Sequence, residues 1–331
     1  AKEIKLGLKD AKNQVDQAFT RDSYIGQSYE NAFGGATSFL RLKYSKELKN
    51  IDLAVTGVPF DQAVTNRPGA RFGPRAIREA STLQPFDPIY GWDGFDPMSE
   101  LSMVDYGDIA YDYAKISKFP ETLEEHISGI LNYCNGCISL GGDHFISYPI
   151  LKAYRKKFGR PLALLQFDAH SDTWPDDDMD RIDHGTMFYK AVKKGLIDPK
   201  RSVQVGIRTH NSDTLGVNII DAREVFEIGP SKTAQKIKSI LGDAPTYLTF
   251  DIDCLDPAFA PGTGTPVWGG LSSIQASIIL RDLAGINMVG GDVVEVSPQY
   301  DMSGATAVAG AHAAHELICL WGWNKRSQPK L

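Results

Sequence analysis

The sequence predicts an α/β protein whose mostly parallel sheet is covered by helices on both faces. Six short apolar runs, typical of strands buried on both sides, occur at 51–59, 137–144, 162–170, 202–209, 246–253 and 288–298. The first five are followed by helix-like segments, among them 73–81, 147–159 and 233–242. No internal repeat or Ser-, Gly- or Pro-rich linker divides the chain. One three-layer α/β domain is therefore the simplest architecture.

Length and composition narrow the functional classes. The chain has 331 residues, 42% of them hydrophobic, and a formal net charge of -6, which argues against a nucleic-acid partner. No run reaches the roughly 18 apolar residues of a membrane-spanning helix, and the first residues lack the apolar stretch of a secretory signal. We therefore expect a cytoplasmic protein without a membrane partner.

The first part of the chain differs from the rest. Residues 1–50 show no clean hydrophobic period, and we predict that they form an N-terminal arm that wraps the body or a neighbouring subunit. The alternation of apolar runs and helices begins at 51, so the main domain is predicted to span 51–325. Its first helix is marked by Pro74 directly after Gly73, because proline suits the first turn of a helix.

Four of the apolar runs end in ionisable residues. These endings are GGDH at 141–144, DAHSD at 168–172, DIDCLD at 251–256 and a GDVVEVS segment that carries Glu295. In open parallel sheets, ligands bind at the carboxyl ends of the strands. We therefore expect these side chains to converge at one edge of the sheet.

The residue types at this edge predict a metal site. Asp168, His170 and Asp172 alternate along the chain, as do Asp251 and Asp253, so each set would face one side if extended. Four buried carboxylates would repel one another, whereas two divalent cations would neutralise them and lower the pKa of a water between them. The absence of a thiolate favours Mn²⁺ over a structural zinc. One such motif alone could be a helix cap, but three at successive strand ends favour metal binding. The candidate ligands are His144, Asp168, His170, Asp172, Asp251 and Asp253.

These motifs resemble those of the ureohydrolase family, which contains arginase, agmatinase and their relatives. The resemblance is carried by GGDH at 141–144, FDAHSDT at 167–173 and DIDCLDPAFAPGTGTP at 251–266. Family-like features run from about residue 51 to about residue 320. The resemblance implies a three-layer αβα sandwich around an eight-stranded sheet, a guanidino compound as substrate, and a homo-oligomer that is a trimer or a hexamer.

The resemblance also implies a role for each site residue. Two Mn²⁺ ions per subunit would be bound, one by His144 and Asp172 and the other by His170 and Asp253, with Asp168 and Asp251 bridging them. His184, in DHGTMF, matches a histidine that shuttles protons. Glu295 matches a carboxylate that pairs with the guanidinium, and Thr265, in GTGTP, matches a threonine near the substrate. Asp172 can accept a proton during hydrolysis and pass it to the leaving amine.

The stretch between Thr173 and His184 bears on the choice of substrate. Five aspartates give this stretch a negative field, which would favour a guanidine with a second cationic end, such as agmatine. The alternative is that the stretch is a solvated turn with no role in substrate binding. Arginases tend to place small polar residues in this region, and none stands here. We therefore expect hydrolysis of agmatine to putrescine and urea, a step of polyamine biosynthesis. Arg181 is the one cation of the stretch, against Asp176, Asp177, Asp178, Asp180 and Asp183.

Three alternatives are weighed against this expectation. A guanidino-acid hydrolase such as a guanidinobutyrase would use the same chemistry, with Arg181 or His210 receiving the carboxylate of the substrate. A catalytically silent metal-binding scaffold would have lost a ligand, His184 or Glu295, and all of them are present. A histone-deacetylase-like amide hydrolase normally uses a single zinc and lacks the paired D-x-D motifs.

Overall fold

The computed structural model describes residues 16–27, 30–86 and 91–326. The strands are β1 Leu53–Val58, β2 Met103–Asp108, β3 Gly136–Gly141, β4 Ala163–Phe167, β5 Val203–Ile207, β6 Asn218–Asp221, β7 Thr246–Asp251 and β8 Met288–Val294. The α-helices are α1 Gln17–Thr20, α2 Gly73–Ala80, α3 Pro97–Glu100, α4 Phe119–Leu131, α5 Ser147–Phe158, α6 Met187–Lys193, α7 Ala222–Ile228, α8 Pro230–Leu241, α9 Ser273–Asp282 and α10 Ala305–Arg326. Short 3₁₀ turns occur between them, among them His144–Ile146 and Ile252–Cys254.

All eight strands form one sheet in the order β2-β1-β3-β8-β7-β4-β5-β6. Every pairing between neighbouring strands is parallel. The predicted eight-stranded parallel sheet is confirmed. The four strands that end in ionisable residues, β3, β8, β7 and β4, are adjacent at the centre, so their carboxyl ends meet in one place.

The apolar runs identify six of the strands and miss β2 and β6, which lie at the two edges of the sheet. β2 ends in the exposed Asp108, and β6 has only four residues, of which Ile220 alone is buried. An edge strand has a neighbour on one side only, and polar residues or short length protect it from pairing with other chains. Such strands leave no apolar run in the sequence.

Two hydrophobic clusters pack on opposite faces of the sheet. Successive residues of β1 alternate between them, with Leu53 and Val55 in one cluster and Ala54 in the other. The first cluster contains side chains of α2, α8, α9 and α10, and the second contains side chains of α4, α5 and α6. Complete burial of one such Leu or Val contributes about 1.5–3 kcal/mol. The molecule is thus the predicted sandwich of three layers.

Local sequence sets the ends of several helices. Pro74 lies in the first turn of α2, as predicted. Gly159 directly follows α5, and its φ of 66° is the left-handed conformation common after helices. α9 begins with a capping box in which Ser272 and Gln275 bind each other's backbone N–H groups. In the described ranges no helix is both long and apolar enough to cross a membrane.

Part of the predicted arm packs into the body. Phe39, Leu40 and Leu42 are buried in the first hydrophobic cluster, and the Phe39 N–H donates to Asp105 Oδ2 at 2.8 Å. Arg41 is fully buried, and its guanidinium donates to backbone carbonyls within 31–36. The division into an arm, 1–50, and a catalytic domain, 51–325, stays a prediction; residues 1–15 and 28–29 lie outside the described part.

Candidate metal centre and active site

The predicted site residues meet at the carboxyl edge of the central strands. Asp168 directly follows β4, Asp251 ends β7, and Glu295 directly follows β8. His144 follows β3 after a GGD turn in which Gly142 passes close to the loop that follows β1. A Cβ atom on Gly142 would lie 1.9 Å from the Phe60 carbonyl oxygen, so only glycine allows this approach.

The first group of ligand atoms surrounds His144. Its Nδ1 lies 3.0 Å from Asp168 Oδ2, 3.0 Å from Asp172 Oδ2 and 3.2 Å from Asp251 Oδ2. His144 is 1% exposed, and this nitrogen makes no well-directed hydrogen bond within the part of the chain that the structure describes. A buried nitrogen lone pair among three carboxylates is an arrangement that a cation completes.

A second group lies beside the first and shares Asp168 with it. His170 Nδ1 is 3.1 Å from Asp253 Oδ2 and 3.4 Å from Asp168 Oδ1. Asp168 therefore presents one oxygen to each imidazole. Two sets of three residues have the spacing of metal ligands, and a shared carboxylate suits a pair of neighbouring cations. The sets are His144, Asp168 and Asp172, and Asp168, His170 and Asp253.

Without metal ions, protons on the imidazoles offset only part of the negative charge of this cluster, since the carboxylates raise the pKa values of His144 and His170 despite their burial. Burial and the repulsion from Asp168 raise the pKa of Asp172 to about 6. Burial, together with neighbouring carboxylates, also raises the pKa values of Asp251 and Asp253. These shifts express the free-energy cost of holding several negative charges in a buried site. Bound cations would remove that cost, so the donor set fits metal ions.

Hydrogen bonds behind the cluster determine which nitrogen of His144 faces the carboxylates. Nε2 lies 2.8 Å from Thr249 Oγ1, and that hydroxyl donates to Asp292 Oδ1 at 2.5 Å. Since the single hydroxyl hydrogen of Thr249 goes to Asp292, Oγ1 accepts the Nε2 proton and Nδ1 keeps its lone pair. Asp292 also accepts hydrogen bonds from the hydroxyls of Ser147 and Tyr247, both at 2.7 Å.

Two residues at the site have left-handed backbone conformations. The φ angles are 50° for Asp172 and 65° for Glu295. Such angles are uncommon for residues other than glycine and cluster at functional sites. The segment 168–172 is therefore a loop and not the extended strand that would place alternating side chains on one face. Asp172 reaches the cluster because the loop turns.

Glu295 and His184 lie next to the cluster and contact each other. Glu295 Oε1 accepts from the His144 N–H at 2.9 Å and lies 3.0 Å from His184 Nδ1. Glu295 Oε2 is buried and has no hydrogen-bond partner among the described residues. Burial lowers the pKa of His184, but Glu295 raises it more, to about 9.

A residue that the sequence did not suggest completes this arrangement. The Nε2 atom of His184 lies 2.8 Å from Thr65 Oγ1 and 3.1 Å from the Thr65 N–H, which donates to it. Thr65 belongs to an exposed loop without a recognisable motif and stands 119 residues away along the chain. Asp292 was missed as well, although an acid inside the apolar β8 run was a usable signal.

The predicted substrate-side threonine contacts the second ligand group. Thr265 Oγ1 donates to Asp253 Oδ2 at 3.3 Å. The adjoining backbone is joined to the loop that carries Thr65, because the Asn66 side-chain amide donates to the Gly264 carbonyl at 2.9 Å. The two loops therefore lie together beside the metal cluster.

The acidic stretch between Thr173 and His184 is only partly exposed. Asp176 is buried, with Lys190 Nζ at 3.1 Å and Thr186 Oγ1 at 3.0 Å. The expectation that Asp176 attracts substrate is therefore wrong, since a buried lysine neutralises its charge inside the fold. Exposed carboxylates remain at Asp177, Asp178 and Asp180.

The two residues considered as carboxylate receptors differ in position. His210 is exposed and lines a cavity of about 320 Å³ that also reaches Ser171, the neighbour of Asp172. Arg181 is 56% exposed, and its Nη1 lies 3.8 Å from Asp176 Oδ1. The guanidinium of Arg181 thus lies near the buried carboxylate of Asp176 within the same stretch.

Comparison with known proteins places this chain among its relatives. The family model described as the arginase family matches residues 51–319. The chain belongs to the arginase family. It is 53% identical to an agmatinase of Chromobacterium violaceum over 305 residues, which are 92% of this chain and 94% of that protein.

Solved structures of arginase family members share the fold. A hypothetical agmatinase from Burkholderia thailandensis superposes with a TM-score of 0.92 at 53% identity, covering 95% of this chain and 99% of that one. Proclavaminate amidino hydrolase from Streptomyces clavuligerus superposes with a TM-score of 0.84 at 37% identity, covering 89% of this chain and all of that one, 100%. The eight-stranded αβα sandwich is thus an arginase-like fold.

Proposed function

We propose that this member of the arginase family hydrolyses agmatine to putrescine and urea at a binuclear manganese centre. The observation that carries the proposal is the buried Oε2 of Glu295, which lacks a partner among the described residues and adjoins two ligand groups that share Asp168. A buried carboxylate oxygen without a donor is costly. The N–H groups of a guanidinium would satisfy it through charge-assisted hydrogen bonds.

The donor set suits two Mn²⁺ ions. His144 and Asp172 would bind one ion and His170 and Asp253 the other, with Asp168 and Asp251 shared between them. Oxygen and imidazole donors without a thiolate favour manganese. Such ions supply an activated water and stabilise the charge that develops at the guanidinium carbon.

The remaining steps fall to side chains of this chain. Glu295 holds the guanidinium by charge-assisted hydrogen bonds, and Thr265 lies near the substrate. Asp172 accepts a proton from the attacking water and passes it to the leaving amine. His184 exchanges protons with the solvent. The products are urea and an amine.

The choice of agmatine is supported by the agmatinase of Chromobacterium violaceum at 53% identity and by the exposed carboxylates at Asp177, Asp178 and Asp180. The alternative is a guanidino acid whose carboxylate binds Arg181 or His210. Urea release from agmatine, arginine, 4-guanidinobutyrate and 3-guanidinopropionate separates them. We expect agmatine to have the highest kcat/KM.

Removal of the metal tests the manganese centre. We expect turnover to vanish after chelation and to return when Mn²⁺ is added. Full activity in metal-free protein would contradict the mechanism.

A substitution of Glu295 tests the observation that carries the proposal. Glu295→Gln keeps an acceptor for the His144 N–H but removes the charge that faces the guanidinium. Since hydrogen bonds to charged groups contribute about 1.5–3 kcal/mol, kcat/KM for agmatine should fall by roughly 10- to 150-fold. The manganese content should remain at two ions per subunit, measured by plasma mass spectrometry. A variant with parental kcat/KM would remove Glu295 from substrate binding.

We also propose a cytoplasmic homo-oligomer, either a trimer or a hexamer. Support comes from the exposed apolar side chains of Phe259, Ile274 and Val308, which line a cavity of about 620 Å³ beside α9 and α10. Exposed apolar patches of this kind often mark protein–protein contacts. Light scattering should give three or six times the chain mass of 36.3 kDa. A monomeric mass would contradict the proposal.

A further inference from the structure

Both ring nitrogens of His184 are occupied, and the side chain is nearly closed off from water. His184 is 8% exposed, with Nδ1 at 3.0 Å from Glu295 Oε1 and Nε2 at 2.8 Å from Thr65 Oγ1. In this geometry the Thr65 N–H donates to a lone pair on Nε2, and the Nδ1–H faces Glu295. Because Glu295 raises the pKa of His184 to about 9 despite its burial, the ring takes up a second proton at neutral pH, and Nε2 is the atom left to receive it. A histidine that exchanges protons with the solvent therefore needs a path out of the site.

The other ionisable groups whose charges act on His184 cannot provide that path. Asp143, Asp172 and Glu295 are buried, with exposures of 0%, 6% and 1%. Asp143 is also engaged by backbone donors, the N–H groups of Ala63 at 2.9 Å and Phe145 at 3.1 Å. Thr65, in contrast, is exposed, and its hydroxyl is a donor as well as an acceptor. Among these described neighbours of His184, Thr65 alone is exposed.

We propose that the Thr65 hydroxyl carries protons between His184 and bulk water, an inference that rests on the proposed hydrolase function. When His184 holds a second proton on Nε2, the Nε2–H donates to Thr65 Oγ1. The Oγ1–H proton passes to a water molecule as the Nε2 proton moves to Oγ1. One proton has then left His184, and the threonine again carries one hydroxyl hydrogen. The reverse sequence returns a proton to His184.

The loop that carries Thr65 is held at several points, so this contact is built into the fold. The Gly69 N–H donates to Asp61 Oδ2 at 2.7 Å, and Arg71 forms an ion pair with Asp61. The Asn66 side chain binds the Gly264 carbonyl on the opposite side. Gly69 has a φ of 133°, and a Cβ atom there would overlap Gln299 Nε2, so the turn requires glycine. Thr65 acts through His184 and is a positioning residue that also passes the proton.

Two matched variants separate the hydroxyl from the shape of the side chain. Thr65→Val keeps the size and the backbone N–H but removes the hydroxyl, whereas Thr65→Ser retains it. With manganese-loaded enzyme at low buffer concentration, we expect Thr65→Val to lower kcat for agmatine by roughly 10- to 100-fold, with KM nearly unchanged. Added imidazole should restore much of that loss, because a small buffer can replace the relay. Thr65→Ser should keep parental kcat and show no response to imidazole.

Three outcomes would overturn the relay: parental kcat in Thr65→Val, an equal loss in Thr65→Ser, or a loss that imidazole does not relieve. A second readout is independent of turnover. In protein labelled with ¹⁵N-histidine, the His184 imidazole N–H, assigned with His184→Gln, should exchange with water more slowly in Thr65→Val than in the parent. Equal exchange rates would also overturn the relay. Failure of the proposed function would instead show in the parent, as absence of urea release.

Discussion

At the scale of single residues, Asp168 links the two halves of the metal cluster. Its Oδ2 lies 3.0 Å from His144 Nδ1, and its Oδ1 lies 3.4 Å from His170 Nδ1. Each oxygen also accepts a hydrogen bond at 2.7 Å, Oδ2 from the Gln166 side-chain amide and Oδ1 from the His170 N–H. A carboxylate held in this way would present one oxygen to each ion of the proposed manganese pair.

The substitution Asp168→Asn should therefore disturb both ions at once. The amide keeps nearly the same volume but loses the charge and one of two ligand oxygens. We expect manganese to fall well below two ions per subunit after dialysis, and kcat to fall at least about 100-fold. Plasma mass spectrometry and urea release measure these effects. Asp112→Asn, the same change at an exposed position outside the site, should behave as the parent. Two retained ions with normal kcat in Asp168→Asn would rule out the shared carboxylate.

At the scale of secondary structure, β7 and β8 orient the metal ligands from inside the sheet. Thr249 and Asp292 are partners in the register of these two strands. Their side chains form a hydrogen-bonded line from Asp292 through Thr249 to His144. The sheet therefore determines which nitrogen of His144 is available to a metal.

Thr249→Val tests this line without changing the volume of the side chain. The His144 Nε2–H would lose its acceptor, and the ring would no longer be held with Nδ1 toward the carboxylates. Loss of such a supporting contact typically weakens metal binding by about 10- to 100-fold. Competition with a chelator should show this loss, and Thr249→Ser, which restores the acceptor, should bind as the parent does. Equal affinity in all three proteins would leave the Thr249 hydroxyl without a role in metal binding.

The exposed acidic stretch is tested by neutralising Asp177, Asp178 and Asp180 to Asn. If their field attracts the ammonium end of agmatine, KM for agmatine should rise, and the difference should shrink above about 0.1 M salt. KM for 4-guanidinobutyrate should stay unchanged or improve, because a repulsion is removed. Metal content and kcat should remain parental.

The control for that variant removes three exposed carboxylates elsewhere. Asp112, Glu121 and Asp243 have side-chain exposures of 53%, 67% and 97%. Changing them to the corresponding amides alters the net charge equally and should leave KM as it was. Identical salt-dependent KM values for the parent and the Asp177/Asp178/Asp180 variant would make the stretch a solvated turn.

At the scale of the whole molecule, the half-buried His126 and the buried His315 couple stability to pH. Burial lowers the pKa of His126 to about 4 and that of His315 to about 3. The Thr56 hydroxyl donates to the Gly107 carbonyl and accepts from His126 Nε2 at 2.8 Å, so the neutral ring carries its proton on Nε2. His126 lies on α4, and its Nε2 faces Thr56 of β1.

The sign of the effect follows from proton uptake by the unfolded chain. An unfolded histidine binds a proton near pH 6.5, whereas folded His126 does so only near pH 4, so acidification across this window favours unfolding. The difference amounts to at most about 3 kcal/mol for His126. In metal-free protein, the melting temperature of His126→Gln should fall less than that of the parent between pH 7 and pH 4.5. His210→Gln, at an exposed position, should follow the parent. Parallel curves for the parent and His126→Gln would contradict the coupling.

The sequence by itself determined the central strands and which ionisable side chains gather at their carboxyl ends. A strand buried on both faces must be apolar throughout, so β3, β4, β7 and β8 leave runs that can be read locally. Parallel strands end at one edge, so the residues that follow these four runs had to meet. This is why the sequence alone predicts that Asp168, Asp251 and Glu295 lie together.

Only the tertiary structure decided which partners these residues have. Thr65 contacts His184, which is 119 residues away along the chain, and Thr249 contacts His144, which is 105 residues away. No local periodicity of the sequence links the two segments of either pair. Asp176 looked exposed within a run of charges, yet folding buries it against Lys190. A short segment of sequence records the burial and conformation of its own residues. A hydrogen bond or ion pair between distant segments depends on where the whole chain places them.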